Sequence, residues 1–198
     1  MSRERTQARQ CAVQALYQWQ TGSNTLADIE RQFVEDLDLL KVLLHRFKKR
    51  EDLTVAERDT LEELLEKFSD VPADAELVGE EPNLDERVRH AGGLRPDVGY
   101  FGELLHQIPQ CLDEVDAALG EYTDRPVEAL DPVERAILRI GAYELLFRPE
   151  LPYRVVLNEG INLARQFGAA QSHKYVNGIL DRVTRKHRAS EAGARRGT

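Results

Sequence analysis

An all-α fold, a compact bundle of about seven helices, follows from three features of the sequence. Apolar residues recur at the 3.6-residue spacing of a helix through most of the chain. No stretch alternates apolar and polar residues with period two over a useful length, so sheets are not expected. Residues that start and stop helices stand at the ends of the apolar stripes.

The first stripe is Ala8, Cys11, Ala12, Ala15, Leu16 and Trp19, which predicts a helix from about Thr6 to Thr21, stopped at Gly22. Arg5 and Arg9 fall beside that stripe and are expected to emerge at its edge; Trp19 reads as core and Tyr17 as exposed. A second helix opens near Thr25 and carries Leu26, Ile29, Phe33 and Leu37 inward. Leu39 to Phe47 is helical in tendency and runs into the basic cluster Lys48, Lys49 and Arg50. Thr54 and Glu57 have capping-box spacing, which predicts a helix carrying Leu61, Leu64, Leu65 and Phe68. Residues 69–99, broken by Pro72, Pro82, Gly92, Gly93 and Pro96, read as a partly disordered surface excursion.

Order returns with Tyr100, Phe101, Leu104, Leu105 and Ile108, then Leu112, Val115 and Leu119, with Pro109 kinking or dividing the helix. Asp131, Pro132 and Glu134 make the clearest start: an N-cap carboxylate, a proline where its missing N–H costs nothing, and a negative charge at the positive helix end. That helix runs through Ile137, Ile140 and Leu145 to about Phe147. Pro152 begins another, through Val156, Leu163 and Phe167, closed by Gly168. Ser172 is expected to cap a last helix bearing Val176, Ile179, Leu180 and Val183, after which residues 188–198 form a basic, disordered tail.

Charge is unevenly distributed. The net charge is −8, yet residues 51–90 alone hold 14 acidic and 4 basic groups, so the rest of the chain is slightly positive. Residues 165–198 hold 8 basic and 2 acidic groups, and Arg3, Arg5 and Arg9 stand together near the start. Because salt limits electrostatic reach to roughly 10 Å, a basic face coexists with an acidic average. No apolar run approaches bilayer length and the first residues lack a secretory apolar region, so a cytoplasmic protein without membrane contact is expected. Two cysteines, Cys11 and Cys111, leave one disulfide open but provide neither a disulfide framework nor a metal knuckle. The five histidines are scattered, no phosphate-binding glycine loop is present, and the carboxylates of 51–90 read as a solvated face. No catalytic residue, metal site or cofactor is therefore expected, and the chain reads as a binding protein rather than an enzyme.

Two stretches narrow this further: RTQARQCAVQALYQWQ at 5–20 and LDPVERAILRIGAYELLFRPELPYRVVLNEGINLARQFGAAQSHKYVNGILDRV at 130–183. Their order, an arginine-bearing first helix, a capped helix with an R-I-x-x-Y-E-L core, an L-P-Y-x-V-x-x-N-E turn and F-G-x-x-x-S-H-K-Y-V-N-G, closely resembles the NusB family of bacterial transcription antitermination factors. The resemblance covers residues 3–37 and 98–187. It implies two small helical lobes packed together in a domain spanning 1–187. It also implies binding of boxA-type ribosomal RNA leader sequence with a small-subunit ribosomal protein acting as NusE, within an RNA polymerase antitermination complex. Residues 38–96 have no counterpart in the usual short family core and read as an acidic insertion. Ala170 and Gln171 stand where relatives often carry acidic residues, a change that favours RNA.

With that resemblance, Arg3, Arg5 and Arg9 are expected to contact phosphates through their paired donors. Lys174 and Tyr175 suit a phosphate and a stacked unpaired base, and Gln171, one turn before Tyr175, suits a base edge. Glu134 is expected near the face that receives the ribosomal protein. His173, Asn158 and Asn177 read as packing or turn residues. Two other functions stay open: a protein-interaction module worked by the acidic insertion, and an accessory role in ribosomal RNA processing or methylation. A similar helical domain precedes the catalytic domain of some ribosomal RNA cytosine methyltransferases, but these 198 residues contain no stretch expected to form a cofactor-binding α/β unit, so methyl transfer by them is not expected. Self-association through the partner face is also left open.

Overall fold

In the computed structural model the described residues are 2–68, 83–91 and 93–193. The first helix, α1 (Arg3–Thr21), is surrounded by its neighbours: α2 (Leu26–Lys48) and α5 (Val98–Gln110) in one lobe, α7 (Pro132–Phe147) and α8 (Tyr153–Phe167) in the other. Ala8, Ala12 and Ala15 are fully buried, and their small side chains let these helices approach α1 closely. The first lobe is completed by α3 (Val55–Lys67) on α2 and α4 (Leu84–Ala91) on α3. In the second lobe α6 (Leu112–Gly120), α7, α8 and α9 (Ser172–His187) pack on one another, and α10 (Ala189–Gly193) follows α9. No strand occurs among the described residues, and ten α-helices replace the expected seven or so.

Of the helices not expected, α4 comes from the segment read as an insertion and α10 from the expected tail. Ile29, Phe33, Leu37, Leu40 and Leu44 continue one buried stripe, so 26–48 is a single helix rather than two segments. Phe33 lies 5.4 Å from the ring of Phe101 and 6.1 Å from that of Phe68, which ties α2 to α5 and to the end of α3. The helix stops at Arg50, which takes φ 56°, a conformation usually left to glycine. Arg50 N–H then bonds the Phe47 carbonyl (3.0 Å) and Glu51 N–H the Arg46 carbonyl (3.1 Å). Thr54 and Glu57 form the anticipated capping box. Within the expected excursion, α4 buries Val88 and Arg87 donates to the Glu62 carbonyl at 3.1 Å. Residues 38–48, 55–67 and 84–91 are thus core-bearing helix, because their leucines and Val88 have a lobe to pack against. The remainder of the excursion, 69–82, lies outside the described residues.

Pro109 divides the next stripe: α5 ends at Cys111, whose N–H bonds Gln107, and α6 begins one residue later. Cys11 and Cys111 form no disulfide. Asp131 caps α7 by accepting from Val133 N (2.9 Å) and Glu134 N (3.2 Å). Ser172 is not a cap. It is the first residue of α9, is buried, and donates its hydroxyl to Glu134 at 2.7 Å, joining α9 to α7. The expected tail also begins later than 188. Arg188 donates to the carbonyls of Pro149 (3.0 Å) and Leu151 (2.9 Å), and Glu191 accepts from Tyr153 N, so α10 is anchored on the α7–α8 turn. Residues 194–198 lie outside the described residues.

The second lobe closes on one leucine. Leu180 of α9 is fully buried between two glycines, and a Cβ at Gly141 or Gly160 would fall 2.6 or 2.8 Å from its Cδ1. Either added methyl would force the Leu180 Cδ atoms to shift within a close-packed interior. Gly141→Ala is expected to destabilise the fold by about 1–3 kcal/mol. Gly178→Ala, where a Cβ meets nothing within 4 Å, is expected to be neutral or stabilising by about 0.4–1 kcal/mol. Urea unfolding of the two variants checks both signs.

Candidate nucleic-acid interface

Helices α1 and α7 run antiparallel, because Arg9 meets Glu144 while Gln20 meets Pro132 and Arg135. At 1.5 Å per residue, Arg5 and Gln20 are about 22 Å apart along α1. The expected RNA-contacting residues divide between these two ends.

Arg9 is not at the surface. Its side chain is wholly buried, and its Nε donates to Glu144 Oε1 at 2.7 Å. The Tyr100 hydroxyl donates to the same carboxylate and lies 3.4 Å from Arg9 Nη2, while the ring lies 5.2 Å from the guanidinium. Glu159 Oε2 stands 3.7 Å from Arg9 Nη1, too far for a hydrogen bond, and Thr6 donates to its other oxygen at 3.3 Å. One guanidinium thus faces carboxylates from α7 and α8. Burial pushes both carboxyls above their ordinary range, opposed by the positive charge of Arg9. Burial and the Glu144 charge raise the Tyr100 hydroxyl, which keeps it a donor. The physical reason for this correction is that position 9 turns into the junction of α5, α7 and α8, where phosphate cannot reach it.

Arg3 and Arg5 do lie outside. Arg3 is exposed, its guanidinium against Gly93, and Arg5 is 38% exposed over the Tyr100 ring at 5.0 Å with Asp97 at 3.8 Å. At the other end, Gln171 and Lys174 are exposed at the start of α9. Tyr175 is half-buried and packs on the core, with its hydroxyl 3.4 Å from Asp124, whose carboxylate pairs with Arg125. Burial and the Asp124 charge raise the Tyr175 hydroxyl. Glu134 sits beside this group and is held by Ser172. The structure therefore brings Gln171, Lys174, Tyr175 and Glu134 to one end of the bundle and leaves Arg3 and Arg5 at the opposite end. Beneath the first of these ends, Arg139 makes a nearly buried two-point pair with Asp116 (2.9 and 2.7 Å) and shares the Gln20 amide oxygen with Arg135.

The two ends are linked along α1. Thr6 and Gln10 face α8, where Gln10 bonds Gln166 at 2.8 Å, and Tyr17 lies two turns beyond Gln10 on the same stripe with 43% of its surface exposed. Gln10 and Arg95 were missed as candidates, since an isolated glutamine and an arginine in an apparent excursion carry no periodic signal. No helix among the described residues is long and apolar enough to cross a membrane. Among the described residues, no three His, Cys, Asp or Glu side chains are placed to hold a metal.

Comparison with known proteins places this scaffold. The NusB family model matches residues 75–185. The transcription antitermination protein NusB of Methylococcus capsulatus is 55% identical over 196 residues, 99% of each chain, so the match runs through the acidic segment. That of Alkalilimnicola ehrlichii is 38% identical over 186 residues, covering 92% of this chain and 82% of the relative. A solved T. maritima NusB is 25% identical with a TM-score of 0.45, covering 80% of this chain and 94% of that one. This is an all-α protein whose described residues form two packed helical lobes. The chain belongs to the NusB family.

Removing Arg9 leaves two buried carboxylates without their cation, so Arg9→Ala is expected to cost about 3–5 kcal/mol in denaturant unfolding. The pH dependence has a definite sign. A carboxyl raised above 4.5 in the folded state contributes stability that is complete below that value and is lost as pH rises through the folded pKa. Glu159→Gln, which cannot ionise, should therefore gain stability relative to the parent as pH rises from about 4.5 towards neutrality. Unfolding free energies across that interval check this, and a pH-independent difference would refute it.

Proposed function

We propose that this protein is a transcription antitermination factor, without catalysis of its own, that binds boxA-type ribosomal RNA leader sequence together with a small-subunit ribosomal protein acting as NusE. The observation that carries this reading is the full-length match to a relative named transcription antitermination protein NusB. The surface is compatible with it in detail. Arg3 and Arg5 supply guanidinium donors at one end of α1, and Lys174 and Gln171 supply a charge and an amide at the other. Tyr17, exposed between them, adds a ring on which an unpaired base can stack. Few cations are available for so long a path, so RNA alone binds weakly and the ribosomal protein, received near Glu134, adds contact area. The complex then acts on RNA polymerase as it reads through termination signals.

The test is fluorescence anisotropy of a short boxA RNA and a scrambled control, with and without the ribosomal protein, at two salt concentrations. Selective binding that tightens with the partner is expected. Arg5→Ala and Lys174→Ala should each weaken it and lower the salt slope by about 0.7, the value for one phosphate contact on a single strand. Absence of binding to either RNA with the partner present overturns the reading.

A further inference from the structure

Between α2 and the turn leading into α5 lies an open groove of about 480 Å³. Lys41, His45 and Lys48 stand on one wall at i, i+4 and i+7, a single stripe of α2, and Arg95 stands on the other. Among the described residues no carboxylate lines it, in a protein whose net charge is −8. Lys41 pairs with Asp38 at the rim (2.8 Å), while His45, Lys48 and Arg95 have no ion pair with a described residue. His45 and Lys48 also complement the negative end of α2, but that role leaves Lys41 and Arg95 unexplained.

The wall that carries Arg95 is built on α1. Asp97 N–H bonds the Glu4 carbonyl (3.0 Å), Arg95 N–H bonds the Gln7 amide oxygen (2.8 Å), and a Cβ at Gly93 would lie 2.9 Å from Arg3 Nη1. Arg95 therefore faces the α2 cations from a turn that also holds Asp97 and packs against Arg3 and Glu4. The groove floor is aliphatic, from Leu37, Leu44 and Leu94, and among the described lining residues the one ring is the His45 imidazole on the α2 wall. A floor without rings offers bases nothing to stack on, whereas cations spaced about one helical turn apart suit a chain of phosphates.

We propose that this groove is a second RNA-binding surface, which carries the phosphate backbone of nucleotides flanking the segment held at α1, without regard to their sequence. The inference rests on the RNA reading above and adds a site to it. Binding is driven by counterion release, so it scales with the number of phosphates reached.

The test compares a short boxA RNA with the same RNA extended by about six uridines on its 5′ or its 3′ side, using the full chain. One of the extensions is expected to bind several-fold more tightly, with a salt slope steeper by about 2, corresponding to three phosphate contacts. Lys48→Ala combined with Arg95→Ala should abolish most of that gain while leaving the short RNA bound as before. Circular dichroism of the double variant confirms that the helices are intact. Equal binding of short and extended RNAs, or a gain that survives in the double variant, overturns the proposal. Equal RNA binding with a loss of ribosomal-protein affinity in the double variant would reassign the groove to an acidic protein segment. Failure of the parent protein to bind the short RNA, with partner present, overturns the underlying RNA reading and the groove assignment with it.

Discussion

The constraint on which the rest of this structure depends is a positive charge with no access to water. Arg9 belongs to α1, yet the groups that make its burial tolerable come from three other helices: Tyr100 of α5, Glu144 of α7 and Glu159 of α8. An unpaired buried guanidinium would cost several kcal/mol, so those helices must arrive together and in register for α1 to be buried at all. The network spans both lobes, which makes their docking a condition of stability rather than a later event. Near the other end of α1, Arg139, Asp116, Arg135 and Gln20 repeat the arrangement with better geometry, since every named group there has a partner.

That arrangement explains what was legible in the sequence. The motif residues that carried the family resemblance are mostly internal: Arg139 pairs with Asp116, Gly141 and Gly160 receive Leu180, Tyr143 donates to Glu103, and Glu144 and Glu159 hold Arg9. They identify the scaffold because the scaffold is what constrains them. Helix starts with explicit chemistry, at Thr54 and Asp131, were readable from a few residues. Two things were not. Arg9 sits at a position that periodicity places at the edge of the apolar stripe, and nothing local to α1 reveals carboxylates 135 and 150 residues away. The continuity of α2 is masked in the sequence by Asp36 and Asp38, which interrupt the run of apolar residues while the buried stripe from Ile29 to Leu44 continues beneath them.

The candidate site was legible only in part, for a related reason. Surface residues such as Gln171, Lys174 and Arg3 answer to a ligand rather than to packing, so neither spacing nor burial pattern marks them. What the fold adds is their distribution. The residues expected to touch RNA are held at opposite ends of one rigid helix, and Glu134 shares its end with Gln171, Lys174 and Tyr175 through the Ser172 hydrogen bond.

The position of α1 also bears on how the protein is made. Its buried faces require Glu144 and Glu159, which leave the ribosome long after Arg9 does. At typical elongation rates the 135 residues between Arg9 and Glu144 take about 7–27 s to synthesise. Through that interval a helix whose apolar face carries three alanines, a leucine and a tryptophan has only the first lobe to lean on, and Arg9 has no carboxylate from α7 or α8. The nascent chain therefore passes through a stage in which its central helix is half-dressed, and completion of the fold waits on the last third of the message.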